Sequence, residues 1–516
     1  MCGIVATLPP SPDLTDQALD SLRSRGPDGV GSFHSDFASL GVRRLAITDV
    51  SGGSQPLQSP CGRYLLVFNG EVYNHREIRR ELKSSGLSFR SDSDGEAILG
   101  LYQRHGVAFA DRLDGMYALA LLDLERSHLV LAVDPVGVKP LYLAPRALLE
   151  EGRGTDGEGW VAASTVHALP SALHGQMRRF PPGTVWVCDR SGRDVARRTI
   201  ELPSCSPEAS LLEELRRTVR LQIPEEVPWA VLLSGGLDSA LVAALATELS
   251  IETPTGKVLA YTVGTPGSSD VAAAGRLAAE LGLEHRVVPV PRPELASIVE
   301  RVIEATATFD PYVVMSGVGT FLAARAAASD GVKVLLTGEG ADELFAGYDA
   351  YARLAPEDLE ARLQEDQRQL GVTECLRLDR CTMAWGVEAR VPYLSPRVIS
   401  LARALPSAAK VFHGEQRVLR KHALREAARE VLPAWVVERP KAPFFEGSGL
   451  FRPFVTQAMR EMPAERLAKV AAASPDFPLD GVLPGWLFSL WRERFPHLAA
   501  SFSSLVEHGL VRSRLR

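Results

Sequence analysis

The sequence predicts two domains of different fold class. An α+β domain dominated by antiparallel strands covers residues 2–200, and an α/β domain built on a parallel sheet covers residues 206–516, ending in helices. Three observations predict this. At 516 residues the chain exceeds one ordinary core. Its first part reads as short strands broken by Gly, Pro and Ser turns. Beyond TIELPSCSPEAS, residues 199–210, helices alternate with short Val/Leu-rich strands, the pattern of a parallel sheet covered on both faces.

In the first part, YLLVFNGEVYN and HLVLAVDPVGVKPLYL are β-rich, and MYALALLDLE reads as a buried strand. HREIRRELKSSG is a helix with a glycine stop, carrying Ile78 and Leu82 at i, i+4 on one face. LPPSP, VSGGSQPLQSPCG and EEGRGTDGEG read as loops. In the second part PWAVLLSGG, VLAYTVGT, HRVVPV and VKVLLTGEG are the strands, separated by alanine-rich helices such as SALVAALATELS and VAAAGRLAAELG. From about residue 350 the chain reads as mostly helical, with PEDLEARLQEDQRQLG and VLRKHALREAAREVLP carrying a helical apolar period. The segment after about residue 450 is helical and carries no interpretable motif.

Composition narrows the class. Hydrophobic residues make up 46% and charged residues 23%, as in soluble globular chains. A net charge of -6 argues against a nucleic-acid partner. No apolar run approaches the roughly 18 residues a membrane helix needs, and no secretory signal is visible. Six cysteines without CxxC spacing fit a reducing cytoplasm better than a disulfide framework.

Three stretches carry chemistry. VLLSGGLDSA, residues 231–240, joins a strand to a helix. Ser234, Gly235 and Gly236 let the backbone approach an anion, and Asp238 is placed to hold a cation that bridges phosphates. The stretch contains no lysine, which disfavours a P-loop NTPase. VKVLLTGEGADELFAGY, residues 332–348, sets Glu339, Asp342 and Glu343 beyond another strand, where open α/β sheets bind ligands. The third is the amino terminus. Once Met1 is removed, Cys2 carries a free α-amino group that can act as general base for its own thiol. Taken alone, Cys2 reads more readily as a small apolar residue opening the buried strand CGIVATL. RRLAITDV (43–50), FNGEVYNH (68–75) and SDSDGEAIL (91–99) supply what an amide substrate needs. Arg44 offers a donor fork for a carboxylate, Asp94 and Glu71 accept from an ammonium, and Asn69 with the Gly70 N–H can stabilise an oxyanion.

MCGI, RGPD and these three segments together resemble a class II, N-terminal-nucleophile glutamine amidotransferase domain. SGGLDS resembles the loop of N-type ATP pyrophosphatases. With TGEGADE and AWGVEARVPYL (384–394), nearly the whole chain resembles the glutamine-dependent asparagine synthetase family. The resemblance implies an αββα glutaminase domain at 2–200 and an ATP-pyrophosphatase domain at 206–516. It implies that Cys2 attacks the glutamine amide, giving a thioester and ammonia. Arg44, Leu45, Ala46, Ile47, Thr48, Asn69, Gly70, Glu71 and Asp94 match the family's glutamine site. Leu233, Ser234, Gly235, Gly236, Asp238, Ser239, Val263, Thr337 and Gly338 match its ATP site. Asp238 and Asp342 would hold Mg2+, Glu339 matches the glutamate implicated in forming the acyl-adenylate, and Lys441 a lysine that neutralises developing charge. By sequence chemistry alone Lys441 is a surface-loop lysine. The family's partners are small molecules (glutamine, ATP and a carboxylate acceptor), its members often form dimers, and a closed passage carries ammonia between the two sites.

The chain departs from the family at a few positions. Ser24 replaces a histidine before RGPD, and Val133 stands where an arginine is usual. In ATATFDPYVVMSGVG (305–319), Tyr312, Val313 and Met315 stand where threonines and an arginine help hold aspartate, which places Tyr312, Met315 and Asp342 at the acceptor. The acceptor is therefore aspartate, with another arginine such as Arg380 or Arg390 compensating, or a different carboxylate of a natural-product or modified-peptide pathway. A β-lactam-synthetase-like ring closure is a further alternative, although those relatives typically lose the N-terminal cysteine.

Overall fold

The computed structural model of the protein describes residues 2–145, 159–250, 258–414, 417–441, 444–498, 501–507 and 511. The chain divides into two compact units. The first comprises residues up to Leu202 with Met383–Gly386 and Glu493–Ser513, and the second comprises Pro203–Thr382 and Val387–Arg492.

Two six-stranded sheets form the centre of the first unit. One contains β1 (Cys2–Leu8), β2 (Gly29–His34), β3 (Ser39–Arg44), β8 (Tyr142–Pro145), β9 (Trp160–Ala163) and β10 (Arg178–Arg179), in the order β10-β8-β9-β1-β3-β2. The other contains β4 (Leu57–Gln58), β5 (Tyr64–Val72), β6 (Gly115–Asp123), β7 (His128–Val133), β11 (Thr184–Cys188) and β12 (Asp194–Thr199), in the order β12-β11-β7-β6-β5-β4. Every pairing is antiparallel. Ile4, Leu40 and Val42 of one sheet meet Leu65, Val67 and Ala120 of the other in a shared core. Because side chains alternate along a strand, Leu66 and Phe68 of β5 point the opposite way. There they pack with Ile78 and Leu82 of α2 (His75–Ser84) and with Ile98 and Leu101 of α3 (Gly95–His105). Thr15 and Leu19 of α1 (Pro12–Ser21) lie over Gly41 of the first sheet. The layers are thus helix, sheet, sheet, helix. This accounts for β5 and β6 being buried throughout, since both faces are covered.

Leu82 is fully buried and touches the backbone at Gly100. Leu82→Ala is expected to cost about 2–5 kcal/mol, the range for a leucine truncated in a core. A lowered denaturation midpoint of this unit checks it.

The second unit carries a five-stranded parallel sheet of β13 (Trp229–Leu232), β14 (Leu259–Gly264), β15 (Glu284–Pro289), β16 (Val334–Leu336) and β17 (Glu388–Arg390). Its order is β15-β14-β13-β16-β17, so successive connections leave β13 in opposite directions. The crevice beyond the carboxyl ends of β13 and β16 is the switch point where such sheets bind ligands. Helices α4 (Leu211–Gln222), α5 (Leu237–Ser250), α6 (Ser269–Leu281), α7 (Leu295–Thr306), α8 (Pro311–Ser329), α9 (Ala341–Phe345), α10 (Pro356–Gln369) and α11 (Glu374–Met383) follow in chain order.

The structure corrects several local expectations. Pro12, in the LPPSP stretch read as loop, starts α1, where its missing N–H costs nothing at the first helical position. Val418–Arg420, read as helix, is a strand paired with Val411–His413, so VLRKHALREAAREVLP becomes helical only from His422. AWGVEARVPYL contains the edge strand β17. The loop EEGRGTDGEG lies outside the described residues except for Gly159.

Candidate functional site

In the first unit, Cys2 opens β1 and pairs with Arg44 across the sheet. It is buried, and its N–H donates to Asn69 Oδ1 at 3.1 Å. Asn69 lies on β5 in the other sheet, so the face-to-face packing of the two sheets brings these residues together. Burial pushes the Cys2 thiol up, opposed by the Leu45 backbone and Arg44. Asn69 Nδ2 is buried and has no hydrogen-bond partner among the described residues. Such a donor costs free energy until an acceptor arrives, which suits an oxyanion. Gly70 is required sterically, because a Cβ there would sit 2.0 Å from the Met116 carbonyl oxygen.

The other expected glutamine-site residues surround this pair. Arg44 donates to the carbonyls of Val50 (3.0 Å), Thr48 (3.2 Å) and Asp49 (2.7 Å). Its guanidinium therefore shapes the 48–50 loop with three of its five donors, and the other two have no hydrogen-bond partner among the described residues. Thr48 Oγ1 donates to Glu71 Oε2 at 2.9 Å, and Asp94 Oδ2 accepts from the Val72 N–H at 2.8 Å. Leu45, Ala46 and Ile47 are buried beyond β3, and the Ala46 N–H donates to Asp28 of RGPD at 2.8 Å.

Sequence reasoning missed three contributors here. Gln55 Nε2 lies 3.6 Å from Cys2 Sγ, and Arg25 Nε donates to the Cys2 carbonyl at 3.2 Å. Asp134 is buried and accepts five backbone N–H bonds, from Tyr117, Val136, Gly137, Val138 and Lys139, which explains the turn in VDPVGVK. The two departures in this unit are accommodated locally. Val133 fills the core between the sheets, and Ser24 is exposed.

In the second unit, a cavity of about 290 Å³ opens beyond β13 and β16. Leu233, Ser234, Asp238, Ser239, Val263, Thr337, Gly338, Glu339, Asp342, Lys441 and Tyr312 all line it. Gly235 and Gly236 form the turn behind this wall. The hydroxyls of Ser234 and Ser239 lie 3.0 Å apart and close the loop. Arg439, unforeseen, donates to the Gly235 carbonyl at 2.7 Å and to Asp270 at 2.9 Å.

Charge is concentrated in this wall. Lys441 Nζ is 2.5 Å from Asp342 Oδ2, so Lys441 belongs to the site and not to a free surface loop. Lys421, which the sequence reading passed over, lies 2.5 Å from Asp238 Oδ2 and 2.6 Å from Asp342 Oδ1. Burial pushes the Asp342 carboxyl up, but Lys421 and Lys441 outweigh it and hold the group well below the usual carboxylate range. Glu343 is buried behind the wall and accepts from the Tyr348 hydroxyl. Burial and the neighbouring Glu374 raise the Glu343 carboxyl well above its ordinary value. Among the described residues Asp238 Oδ1 and Asp342 Oδ1 are buried without a hydrogen-bond partner. Two carboxylates with orphaned oxygens fit a hard cation, although no three His, Cys, Asp or Glu side chains converge among the described residues.

The acceptor segment is corrected in part. Tyr312 lines the cavity with Ser316, Gly319 and Thr320 of α8. Met315 is buried and absent from that wall, because helical phase turns it to one side, and Val313 is fully buried. The cavity wall holds Arg377 of α11 and Arg420, and neither Arg380 nor Arg390. Arg377 donates to Glu339 Oε2 at 2.5 Å and to Thr320 Oγ1 at 2.7 Å. Arg390 is held on β17 by Glu388 at 2.5 Å and the Gln222 carbonyl at 2.8 Å. Among the described residues no helix is long and apolar enough to cross a membrane.

Comparison with known proteins identifies the family. Residues 1–195 match the glutamine amidotransferase domain family, and residues 210–368 and 354–478 match the asparagine synthase family. Asparagine synthetase [glutamine-hydrolyzing] 1 of Lotus japonicus is 33% identical over 476 residues, covering 87% of this chain and 78% of its own. Asparagine synthetase [glutamine-hydrolyzing] 3 of Arabidopsis thaliana is 34% identical over 478 residues, with 87% and 79% covered. Asparagine synthetase B [glutamine-hydrolyzing] of Escherichia coli (strain K12) is 33% identical over 445 residues, with 83% and 78% covered. The chain belongs to the family of glutamine-hydrolysing asparagine synthetases.

Proposed function

We propose that the protein is a carbon–nitrogen ligase that releases ammonia from glutamine at Cys2 and uses ATP to convert aspartate to asparagine. The observation that carries the acceptor assignment is Arg377. It puts a guanidinium, paired with Glu339, in the same cavity as the SGGLDS loop. A substrate with two carboxylates needs one bound and one free to react, and an arginine fork is suited to the bound one.

In the first half-reaction the Cys2 thiolate attacks the glutamine amide carbon. Asn69 Nδ2 and the Gly70 N–H stabilise the oxyanion, and the proton that the Cys2 α-amino group took from the thiol passes to the departing nitrogen as the C–N bond breaks to release ammonia. Water then hydrolyses the thioester to glutamate. In the second, a carboxylate oxygen of the acceptor attacks the α-phosphorus of ATP and pyrophosphate leaves. Ammonia attacks the acyl carbon and AMP departs. Ser234, Ser239 and the backbone of the loop hold the phosphates, while Lys441 neutralises charge that develops on them. Asp238 and Asp342 would hold Mg2+, which supplies charge neutralisation across the phosphate oxygens. Sparse cysteine usage supports a cytoplasmic setting, and a homodimer follows the family habit.

The test is to incubate the protein with ATP, Mg2+ and glutamine across a series of carboxylates, following pyrophosphate and product mass. Aspartate is expected to give the largest pyrophosphate release together with asparagine. Glutamine hydrolysis with no aspartate-dependent pyrophosphate would overturn the acceptor assignment.

A further inference from the structure

The four carboxylate oxygens of Asp238 and Asp342 are unequally engaged. Lys421 is ion-paired to Asp238 Oδ2 and Asp342 Oδ1, and Lys441 to Asp342 Oδ2. Among the described residues Asp238 Oδ1 and Asp342 Oδ1 are both buried without a hydrogen bond, and the Lys421 ammonium stands 2.6 Å from the latter. A divalent ion that takes both carboxylates must displace the Lys421 ammonium. Magnesium sheds water reluctantly and binds through one or two carboxylates plus phosphate oxygens, so while Lys421 stands between the two carboxylates Asp238 Oδ1 alone is a poor site for it.

The surrounding chain is shaped to hold Lys421 there. Its side chain is 4% exposed, so the ammonium is not a solvated surface charge. Its backbone lies at φ 54, a left-handed conformation that a residue with a Cβ seldom adopts. The next residue, His422, begins a helix, and the Lys421 carbonyl accepts from the Arg425 N–H at 2.8 Å. Opposite it, Gly347 leaves the room the bridge needs. A Cβ there would lie 1.7 Å from Asp342 Oδ1 and 2.3 Å from Lys421 Cε. Arg420 ties this corner down, bonding the Gly347 carbonyl and lying 2.6 Å from Asp349. Three segments distant in sequence, around residues 238, 342–347 and 421, are thus fitted to one ammonium.

We propose that Lys421 is a tethered competitor of the divalent ion. Its ammonium holds Asp238 and Asp342 until the ion arrives with a polyphosphate, whose oxygens then receive the lysine. The flexible four-carbon stem allows the move, and the anionic oxygens of the nucleotide replace the partners that the ammonium gives up. Metal binding is thereby made conditional on nucleotide binding, a positive coupling between two ligands that share one site. The inference rests on the reading that this cavity binds ATP.

Manganese is the probe, read by electron paramagnetic resonance on the full chain with and without a non-hydrolysable ATP analogue. Without nucleotide, the wild type is expected to bind manganese weakly, and Lys421→Met at least tenfold more tightly. Adding Asp238→Asn to Lys421→Met should return the affinity to the weak value. With the analogue, the order reverses, and Lys421→Met binds the metal–nucleotide pair at least tenfold more weakly than wild type. A cooperative melting curve confirms that each variant is folded. Should Lys421→Met fail to fold, Lys421→Gln removes the charge while its amide still donates to one carboxylate. A folded neutral variant with wild-type manganese affinity overturns the inference. If the analogue fails to bind the wild type at all, the ATP reading itself falls.

Discussion

Replacing Cys2 by alanine removes glutamine-dependent amide formation and leaves ammonia-dependent formation within about twofold of wild type. The glutamine-dependent rate is expected to drop by about 10³-fold or more, the scale on which removing a covalent nucleophile acts. Two structural facts make the variant clean. Cys2 is buried in β1, where alanine is smaller and equally apolar, so the sheet keeps its register with Arg44. The Asn69 contact runs through the Cys2 backbone N–H, so the oxyanion donor stays in place. Product mass with glutamine or ammonium chloride as nitrogen source reads both rates. Loss of both activities would point to a folding defect, which a melting curve detects. Retention of both would remove Cys2 from the mechanism.

Arg377→Lys is expected to raise the KM for the acceptor by about 100-fold or more while the affinity for ATP stays near wild type. The guanidinium reaches Glu339 Oε2 at 2.5 Å and Thr320 Oγ1 at 2.7 Å from two different nitrogens. A lysine ammonium is a single point of charge and cannot reproduce that planar fork. Arg377→Met is the informative partner. It leaves Glu339 without its counter-charge in a largely buried place, and breaking a buried pair from one side costs about 3–5 kcal/mol. Lysine keeps the charge and methionine does not, so a melting temperature that falls only for methionine separates stability from recognition. Initial rates of pyrophosphate release against acceptor and ATP concentration give the two constants. An unchanged acceptor KM in Arg377→Lys would remove this arginine from substrate recognition.

What could be read in advance followed from local chemistry. The strands beneath SGGLDS and TGEGADE were legible because Val/Leu runs ending in glycine-containing turns have few other structural outcomes. α2 was legible from Ile78 and Leu82, whose spacing matches the buried face. Contacts between distant segments were not legible. Arg377 and Lys421 stand among other basic residues in helical stretches, and only the fold shows that they reach Glu339 and Asp238. The strand Val418–Arg420 looked helical because VLRKHALREAA keeps a helical period, and pairing with Val411–His413 overrides it. α1 was hidden by the prolines around its start. Met315 was misplaced because a motif position does not specify the phase of the helix that carries it.

The most direct measurement follows nitrogen from glutamine labelled with ¹⁵N at the amide, in the presence of ATP, Mg2+ and aspartate. The expected result is asparagine carrying the label in its side-chain amide, with one pyrophosphate formed per asparagine. Labelled ammonia and glutamate without labelled asparagine, under conditions where the protein is folded and hydrolyses glutamine, would contradict the account.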